Sequence, residues 1–267
     1  MMKEQILNHL SAECPWRDTL HWYDTIDSTN LQAKALARSG APHGTVLVAG
    51  HQTGGRGRLG RSFSSPPGMG VYLSVILRPN CAPKDLMHLT CAAAVAMCKA
   101  VEQAAGFRPG IKWTNDLVFE KKKLGGILTE LSVDNKTGLI EYAVVGIGIN
   151  CRQQTPDFPP ELQAIATSIA LITSRDTSPC VLTAAMIDAL AEMERSLLSD
   201  KGHIMSQYRQ DCITIGQEVV LLQAAQTSCG TAVDLDENGG LIVRFSDGSV
   251  RTVTFGEVSV RGMYGYL

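Results

Sequence analysis

The sequence of 267 residues lacks the short motifs by which several large enzyme classes are recognised. It contains no G-x-x-x-x-G-K-[ST] phosphate loop, no G-x-S-x-G nucleophile turn, and no HExxH or CxxC metal motif. The histidines are dispersed, and no repeat of solenoid length is present. These absences argue against P-loop enzymes, α/β-hydrolases, zinc enzymes and repeat proteins.

Long apolar runs and an excess of basic charge are missing as well. No run approaches the roughly 18 apolar residues that span a bilayer, and no secretory signal is visible. The 24 Lys and Arg against 26 Asp and Glu give a formal charge of −2, which does not favour a general nucleic-acid binder. Because the eight cysteines are scattered among apolar residues, we expect a reduced, cytoplasmic globular protein.

The order of predicted elements indicates an α+β fold, a mixed β-sheet backed by helices and followed by a small β-barrel. A helix is predicted at Leu31–Ser39, with Ser28 or Thr29 as its hydroxyl cap, and a long Ala-rich helix at Asp85–Gly106. From Cys212 onward, short β-rich runs alternate with turn residues. We therefore expect an N-terminal extension (1–20), a catalytic domain (21–211) and a small β-barrel domain (212–267).

A loop rich in glycine and arginine follows the buried strand at residues 45–49. Gly55, Gly57 and Gly60 match G-x-G-x-x-G, but the chain continues into Pro66-Pro67 and not into a helix, so a Rossmann site is not expected. Glycines let backbone approach a ligand closely, and arginines bind phosphates and carboxylates. A closing anion-binding loop, an ordinary solvated loop and an RGG-like nucleic-acid contact are all compatible with this spacing.

A predicted hairpin brings a second group of polar residues together. Asp116 precedes its turn and Lys123 follows it, so the two side chains can lie close to each other. Lys123 could neutralise a developing negative charge, and Asp116 could accept a proton or hold a metal ion. The alternative is that Lys121–Lys123 form a solvated turn. Gly125 and Gly126 favour a close approach by another group. The alternating Gly146 and Gly148 expose backbone on one face of their strand, where a flat or elongated ligand could lie, and a bulge or tight helix packing is the alternative.

Five segments in this order resemble biotin protein ligases, the enzymes that attach biotin to carboxylase carrier domains. They are Asp27-Ser28-Thr29-Asn30, residues 52–61 (QTGGRGRLGR), Lys112-Trp113-Thr114-Asn115-Asp116, residues 123–128 (KLGGIL) and residues 146–150 (GIGIN). The resemblance runs from about residue 20 to the C-terminus. It implies a class II synthetase-like core of the biotin and lipoate ligases, followed by a barrel like that of Src-homology-3 domains.

The resemblance also implies a reaction in two steps. Biotin and ATP, with Mg²⁺, form biotinyl-5′-adenylate and pyrophosphate, and the ε-amine of a lysine in a biotin carboxyl carrier domain then displaces AMP. Lys123, Arg58 and Asp116 are the implied catalytic residues, with Asp116 also close to the metal or to the incoming lysine. The loop after residue 150 (151–160) would fold over the adenine.

The implied binding residues fall into three groups. Ser28, Thr29 and Gln52 would hydrogen-bond the ureido ring of biotin. Backbone around Gly55 and Gly57 would wrap the ligand, and Arg56 and Arg58 would face its carboxylate and the phosphates. Lys123 would contact the acyl oxygen, and Asn115 would lie near the phosphates. Gly126, Gly146 and Gly148 would admit the biotin tail, and the binding set is completed by Asn30, Lys112 and Asn150.

Some features depart from the family pattern, and some alternatives stay open. Thr114 stands where proline is frequent, and Phe63 where tryptophan is frequent. Because about twenty residues precede the predicted core, we expect no DNA-binding domain and no operator binding. A lipoate or octanoate ligase or transferase of the same fold is the alternative activity. No membrane partner is expected, and a monomer and a homodimer are equally compatible with the sequence.

Overall fold

The structure is a computed structural model that describes residues 2–173, 176–223, 226–254 and 257–260. Its main feature is a mixed sheet of seven strands in the spatial order β1-β2-β3-β7-β6-β5-β4. β1 and β2 run parallel, and the remaining neighbours are antiparallel. The strands are β1 (Leu20–Tyr23), β2 (Thr45–Ala49), β3 (Gly70–Leu77), β4 (Gly110–Lys112), β5 (Asp116–Phe119), β6 (Lys122–Val133) and β7 (Ile140–Asn150).

Helices cover both faces of this sheet, as its central strands require. Every residue of β3 is buried, so both of its faces need an apolar neighbour. Val46 and Val75 join the larger core, whereas Leu47 and Ile76, one residue further along their strands, join a smaller core under α2. The helices are α1 (Met2–His9), α2 (Thr29–Arg38), α3 (Leu89–Ala105), α4 (Ile169–Ile172), α5 (Pro179–Ser196) and α6 (Lys201–Asp211).

The predicted helix-backed mixed sheet is confirmed, with two differences in its helices. The long helix begins at Leu89 and not at Asp85, because Pro83–Leu86 form a separate 3₁₀ turn before it. Ser28 is the N-cap of α2, but neither its hydroxyl nor that of Thr29 caps the helix. Across the described residues, we find no helix with the length and apolar character needed to cross a bilayer.

The C-terminal strands form a second, smaller sheet. They are β8 (Glu218–Gln223), β9 (Gln226–Leu235), β10 (Leu241–Phe245), β11 (Val250–Val253) and β12 (Glu257–Val260). The order is β11-β10-β9-β8-β12, and adjacent strands are antiparallel. The predicted strands are confirmed. Within the described residues β11 and β12 are the sheet's two ends, so closure into a barrel stays a prediction, as do the domain boundaries.

A few hydrogen bonds attach the small sheet beside the large one. Trp113, which follows β4, donates its indole N–H to the carbonyl of Gly239 at 2.7 Å, in the turn between β9 and β10. Its backbone N–H donates to the hydroxyl of Thr214 at 2.9 Å. The turn before β10 is therefore held next to the β4–β5 connection, where the candidate site lies.

Candidate active site

A cleft lies next to the N-terminus of α2, on the face of the large sheet that also carries this helix. Side chains of β6 and β7 at even positions face it, which explains why its floor contains Gly126, Leu128, Gly146 and Gly148. The cleft collects predicted residues from five separate segments. These are Ser28, Thr29, Asn30, Gln52, Arg56, Gly57, Arg58, Lys112, Asn115, Asp116, Lys123, Gly126, Gly146 and Gly148.

The glycine–arginine loop folds back on itself at one side of the cleft. Gly57 donates its N–H to the carbonyl of Arg61 at 2.7 Å, and Phe63 donates to Gly55 at 2.9 Å. We call residues 54–63 the cationic loop. It contains one three-residue 3₁₀ turn, with Leu59 at φ 55°, and no helix follows it. The G-x-G-x-x-G spacing is therefore not a Rossmann turn.

A β-bulge places Lys123 beside Asp116. Asp116 pairs with Gly126 and Leu117 with Gly125, but Val118 pairs with Lys123, so β6 carries one extra residue at this point. The extra residue moves Lys123 to the same face of the sheet as Asp116. Its ammonium donates to Asp116 Oδ1 at 2.5 Å, and both side chains remain partly exposed to the cleft. The adjacent Lys121, in the turn, and Lys122, at the start of β6, are exposed, as the alternative interpretation expected of this segment.

Arg58 reaches from the cationic loop to Asn115, the residue before Asp116. Its guanidinium donates to Asn115 Oδ1 at 3.0 Å. Asn115 is held in place because its amide donates to the carbonyl of Ile127 at 2.9 Å and its own carbonyl accepts from the Ile127 N–H at 3.0 Å. Arg58 and Lys123 therefore end beside consecutive residues, Asn115 and Asp116, at the same end of the cleft.

The other end of the cleft carries neutral polar side chains. The amide oxygen of Gln52 accepts from the backbone N–H of Thr29 at 2.9 Å and from the Thr29 hydroxyl at 3.1 Å. The amide nitrogen of Gln52 donates to Ser65 at 2.9 Å. The Thr29 hydroxyl is directed to Gln52 and Ser74, which is why it does not cap α2. The predicted capping bond is wrong because tertiary contacts compete successfully for this hydroxyl.

The alternating glycines of β7 make room for side chains of this chain itself. A Cβ atom added at Gly146 would overlap the amide of Asn30, and one added at Gly148 would overlap the ring of Phe63. Asn30 and Phe63 therefore lie directly on the strand where the resemblance implied a ligand tail. Phe63 belongs to the cationic loop, so this loop covers Gly148 at the floor of the cleft.

Two predicted site residues do not line the cleft. Gly55 is buried within the cationic loop, against the carbonyl of Phe63 and the hydroxyl of Ser65. Asn150 donates to the carbonyl of Thr167 at 2.9 Å and accepts from Gln153 at 3.1 Å. Both residues therefore hold the backbone around the cleft in place.

The segment after β7 is attached to the backbone of Lys123. The N–H of Lys123 donates to the carbonyl of Ile165 at 2.8 Å, and its carbonyl accepts from Thr167 at 2.8 Å. Within the segment, Gln153 and Phe158 are buried. The segment thus borders the cationic end of the cleft, next to Lys123, for which the resemblance implies a catalytic role.

The charges around the cleft include one carboxylate that the sequence analysis missed. Glu130, on β6, accepts from Lys34 at 2.7 Å and from the amide of Asn30 at 3.1 Å. Burial alone would raise the pKa of Glu130, but these hydrogen bonds outweigh burial and hold that pKa below its usual value. Glu130 and Lys34 lie far apart in sequence and in no recognisable motif, so no local signal marked them.

Other residues at the cleft were also missed. Trp113, Ile127, Leu128 and Ile147 line it, as do Leu59, Arg61, Ser62 and Phe63 of the cationic loop. Ser74 is completely buried and supports Thr29 and Asn30 from below. A polar residue within the otherwise apolar run of β3 (GVYLSVIL) was the one available sign of its role. In the described part of the chain, no group of three His, Cys, Asp or Glu residues is arranged to hold a metal ion.

Comparisons with known protein families agree with this architecture. The model of the Biotin/lipoate A/B protein ligase family matches residues 22–150, which contain most of the cleft. The model of the Biotin protein ligase C terminal domain matches residues 214–261. Together with the fold and the cleft, these matches define the class of protein as a ligase of the biotin and lipoate type.

Individual relatives show to which family within this class the chain belongs. The chain is 34% identical over 230 residues to the Bifunctional ligase/repressor BirA of Bacillus subtilis, covering 86% of this chain and 70% of that protein. It is 31% identical to the Biotin--[acetyl-CoA-carboxylase] ligase of Mycobacterium tuberculosis, covering 80% and 79%. Biotin protein ligase from Aquifex aeolicus in complex with biotin and ATP superposes with a TM-score of 0.76 at 30% identity, covering 91% and 98%. The chain belongs to the biotin protein ligase family.

Proposed function

We propose that this chain is an ATP-dependent biotin protein ligase. In the first step the carboxylate of biotin attacks the α-phosphorus of ATP, and pyrophosphate leaves. In the second step the ε-amine of a carrier lysine attacks the acyl carbon of biotinyl-5′-adenylate, and AMP leaves. The partner is a biotin carboxyl carrier domain of a carboxylase, which the names of the relatives support.

The observation that carries this proposal is the division of the cleft into a neutral polar end and a cationic end. Thr29 and Gln52 form the neutral end, while Arg58 and Lys123 stand at the other. Biotin has the same division, with an uncharged ureido ring at one end and a carboxylate at the other. Buried polar groups bind an apolar ring poorly, so the neutral end disfavours the dithiolane ring of lipoate.

The cations stabilise charge while the anhydride forms. Lys123 neutralises the acyl oxygen and the adjacent phosphate oxygens, and Arg58, at the same end of the cleft, neutralises the phosphate. Lys112, which is buried on β4 opposite Asp116, adds a third cation. When biotin and ATP enter, the cationic loop opens, Phe63 leaves Gly148, and the loop then closes over the adenylate and excludes water. Arg56 belongs to the same loop and would move with it as the loop closes.

Asp116 is the one carboxylate among the described residues that line the cleft. Mg²⁺ is commonly held by one or two carboxylates together with substrate phosphates and water, so Asp116 with Asn115 suits a nucleotide-bound Mg²⁺. That ion would supply charge neutralisation at the phosphates. In the second step, the Asp116 carboxylate orients the incoming lysine and accepts its proton.

Pyrophosphate release from ATP tests the proposal directly. The purified protein is assayed with biotin, with lipoate, with octanoate and with no acid, and a carrier domain is then added to follow biotin transfer. We expect release that depends on biotin, and covalent labelling of the carrier. Equal release with and without biotin would remove the ligase assignment, and activity with lipoate or octanoate alone would assign the alternative member of the fold.

A further inference from the structure

The β4–β5 connection, residues 113–115, presents the partners of both cations at the cationic end of the cleft. Asn115 is its last residue and accepts from Arg58. Asp116 follows directly and accepts from Lys123. The position of this short connection therefore decides where the two cations stand, and groups that hold the connection act on the site without touching a substrate.

Three hydrogen bonds reach the connection from the C-terminal part of the chain. The indole N–H of Trp113 donates to the carbonyl of Gly239 at 2.7 Å, and the backbone N–H of Trp113 donates to the hydroxyl of Thr214 at 2.9 Å. The hydroxyl of Tyr208, on α6, donates to the carbonyl of Thr114 at 2.9 Å. The connection is thus supported from outside the large sheet, by α6, by the segment before β8 and by the turn after β9.

The turn after β9, residues 236–240, is itself tightly organised, and we call it the anchoring turn. The carboxylate of Asp236 accepts from the backbone N–H of Asn238 at 2.8 Å and from that of Gly240 at 2.7 Å. Lys201, at the start of α6, donates to Asn238 Oδ1 at 2.7 Å. Because the turn is bonded internally and to α6, it presents a fixed acceptor to the indole N–H.

Position 239 in the anchoring turn requires a glycine for two reasons. The φ of Gly239 is +88°, in the left-handed region that favours glycine. A Cβ atom added there would overlap the sulfur of Cys91, on α3. A side chain at this position would therefore turn the carbonyl away from the indole. Trp113 is 5% exposed, so its N–H has little access to water in place of this acceptor, and an unpaired buried donor is unfavourable.

We propose that Gly239 is a positioning residue for adenylation, through which the small sheet places the catalytic groups of the large sheet. Its carbonyl fixes the ring of Trp113, and Trp113 fixes the connection that ends at Asn115 and Asp116. Gly239 is not among the described residues that line the cleft, so it acts through Trp113, which is. The inference rests on the proposed function and gives the small sheet a part in it.

The test compares Gly239→Ala with Gly248→Ala in the biotin-dependent pyrophosphate assay. Gly248 is the matched control, because it has φ +83° in the turn between β10 and β11 of the same sheet, and an added Cβ would meet nothing within 4 Å. For Gly239→Ala we expect kcat to fall by about 10- to 100-fold, because small misplacements of reacting groups are this costly. Gly248→Ala should keep the kcat of the wild-type protein.

Biotin affinity provides a readout that separates misplacement at one end of the cleft from a general disturbance. The neutral end, at Thr29 and Gln52, is built by α2 and the segment after β2 and has its own hydrogen bonds. The Kd for biotin of Gly239→Ala, measured by titration calorimetry, should therefore change little while kcat falls.

Trp113→Phe supplies a second variant that leaves the anchoring turn unstrained. It removes the indole N–H and keeps an aromatic ring at the cleft, so kcat should fall as in Gly239→Ala, again with little change in the Kd for biotin. The double variant should be no worse than the more impaired single variant, because both changes break the same bond. Thermal melting of each variant, with assays well below the melting temperature, separates loss of folded protein from misplacement.

The outcomes distinguish a role of Gly239 in positioning from an effect on the fold. Wild-type kcat in Gly239→Ala or in Trp113→Phe, an equal loss in Gly248→Ala, a parallel loss of biotin affinity, or additive losses in the double variant would each overturn this role. If Gly239→Ala does not fold, Trp113→Phe decides by the same criteria. Absence of biotin-dependent pyrophosphate release by the wild-type protein would instead overturn the proposed function.

Discussion

The ammonium of Lys123 lies against the carboxylate of Asp116 because β6 contains one more residue than β5 where the two strands pair. Without the bulge, Lys123 would face the opposite side of the sheet, away from the cleft. The same pairing leaves Gly126 opposite Asp116, where an added Cβ would only touch the Lys123 ammonium at 3.4 Å. A cation and its counterion are thus presented together at the end of the cleft where negative charge would develop.

Replacement of Lys123 by alanine should slow adenylation strongly. Removing one preorganised charge from a site that stabilises developing negative charge typically costs on the order of 10²–10³ in rate. Pyrophosphate release measures the effect. Lys122→Ala is the matched control, because Lys122 is the adjacent, exposed lysine of the same strand. Equal rates for the two variants would show that Lys123 belongs to a solvated turn after all.

Arg58→Met should release the adenylate prematurely. The variant loses the bond to Asn115 that attaches the cationic loop to the cleft, so the loop closes less tightly and water or foreign amines reach the anhydride. We expect biotinylation of unrelated added proteins, detected by blotting. Arg251→Met, on the exposed strand β11, serves as control. Labelling of the carrier domain alone by Arg58→Met would argue against a closing loop.

Two neighbouring glycines should differ in their tolerance of alanine. At Gly146 a Cβ would displace Asn30 and break its bonds to Ser74 and Glu130, whereas at Gly126 it would meet only ordinary contacts. Gly146→Ala should therefore be less stable than Gly126→Ala by about 1–3 kcal/mol, as for other overpacked interiors. Urea denaturation measures the difference, and similar stabilities would mean that Asn30 can move without cost.

The Lys34–Glu130 pair should stabilise the fold at neutral pH and cease to do so in acid. Because the folded pKa of Glu130 is lower than its unfolded value, near 4.5, the stabilisation is complete above the unfolded pKa and disappears as pH falls through the folded pKa. The difference in free energy of unfolding between wild type and Glu130→Gln should shrink below about pH 4. A difference independent of pH would assign the effect to packing.

Thiol titration should distinguish one cysteine from the rest. Cys229 is exposed, and the other seven cysteines are buried. Burial raises the pKa of Cys91 and of Cys151 to about 12, which suppresses the reactive thiolate. At pH 8 an aromatic disulfide reagent should react rapidly with one thiol per native chain and with all eight after denaturation. Cys229→Ser should abolish the rapid phase.

The sequence by itself determined the fold class and much of the cleft, because several of the relevant groups are close along the chain. Asp116 and Lys123 are close along one hairpin, although the bulge that puts them on the same face was not part of the prediction. Prolines after the cationic loop prevent a Rossmann helix. For the alternating glycines of β7, a bound ligand and tight packing were both compatible with the sequence, and the structure places Asn30 and Phe63 against them. The identity of these neighbours could not be predicted, because the contacts of Gly146 with Asn30 and of Gly148 with Phe63 join distant segments.

Only the tertiary structure decided how the neutral end of the cleft is supported. Ser74, Glu130 and Lys34 belong to three separate elements and to no local pattern. They meet because α2 packs across β2, β3 and β7, from where Lys34 reaches Glu130 on β6. The hydroxyl of Thr29, which local propensity would use as a helix cap, bonds to Gln52 and Ser74 instead. Local rules describe what a residue can do near its own backbone, whereas a buried polar group bonds to whichever partners the packed elements place within reach.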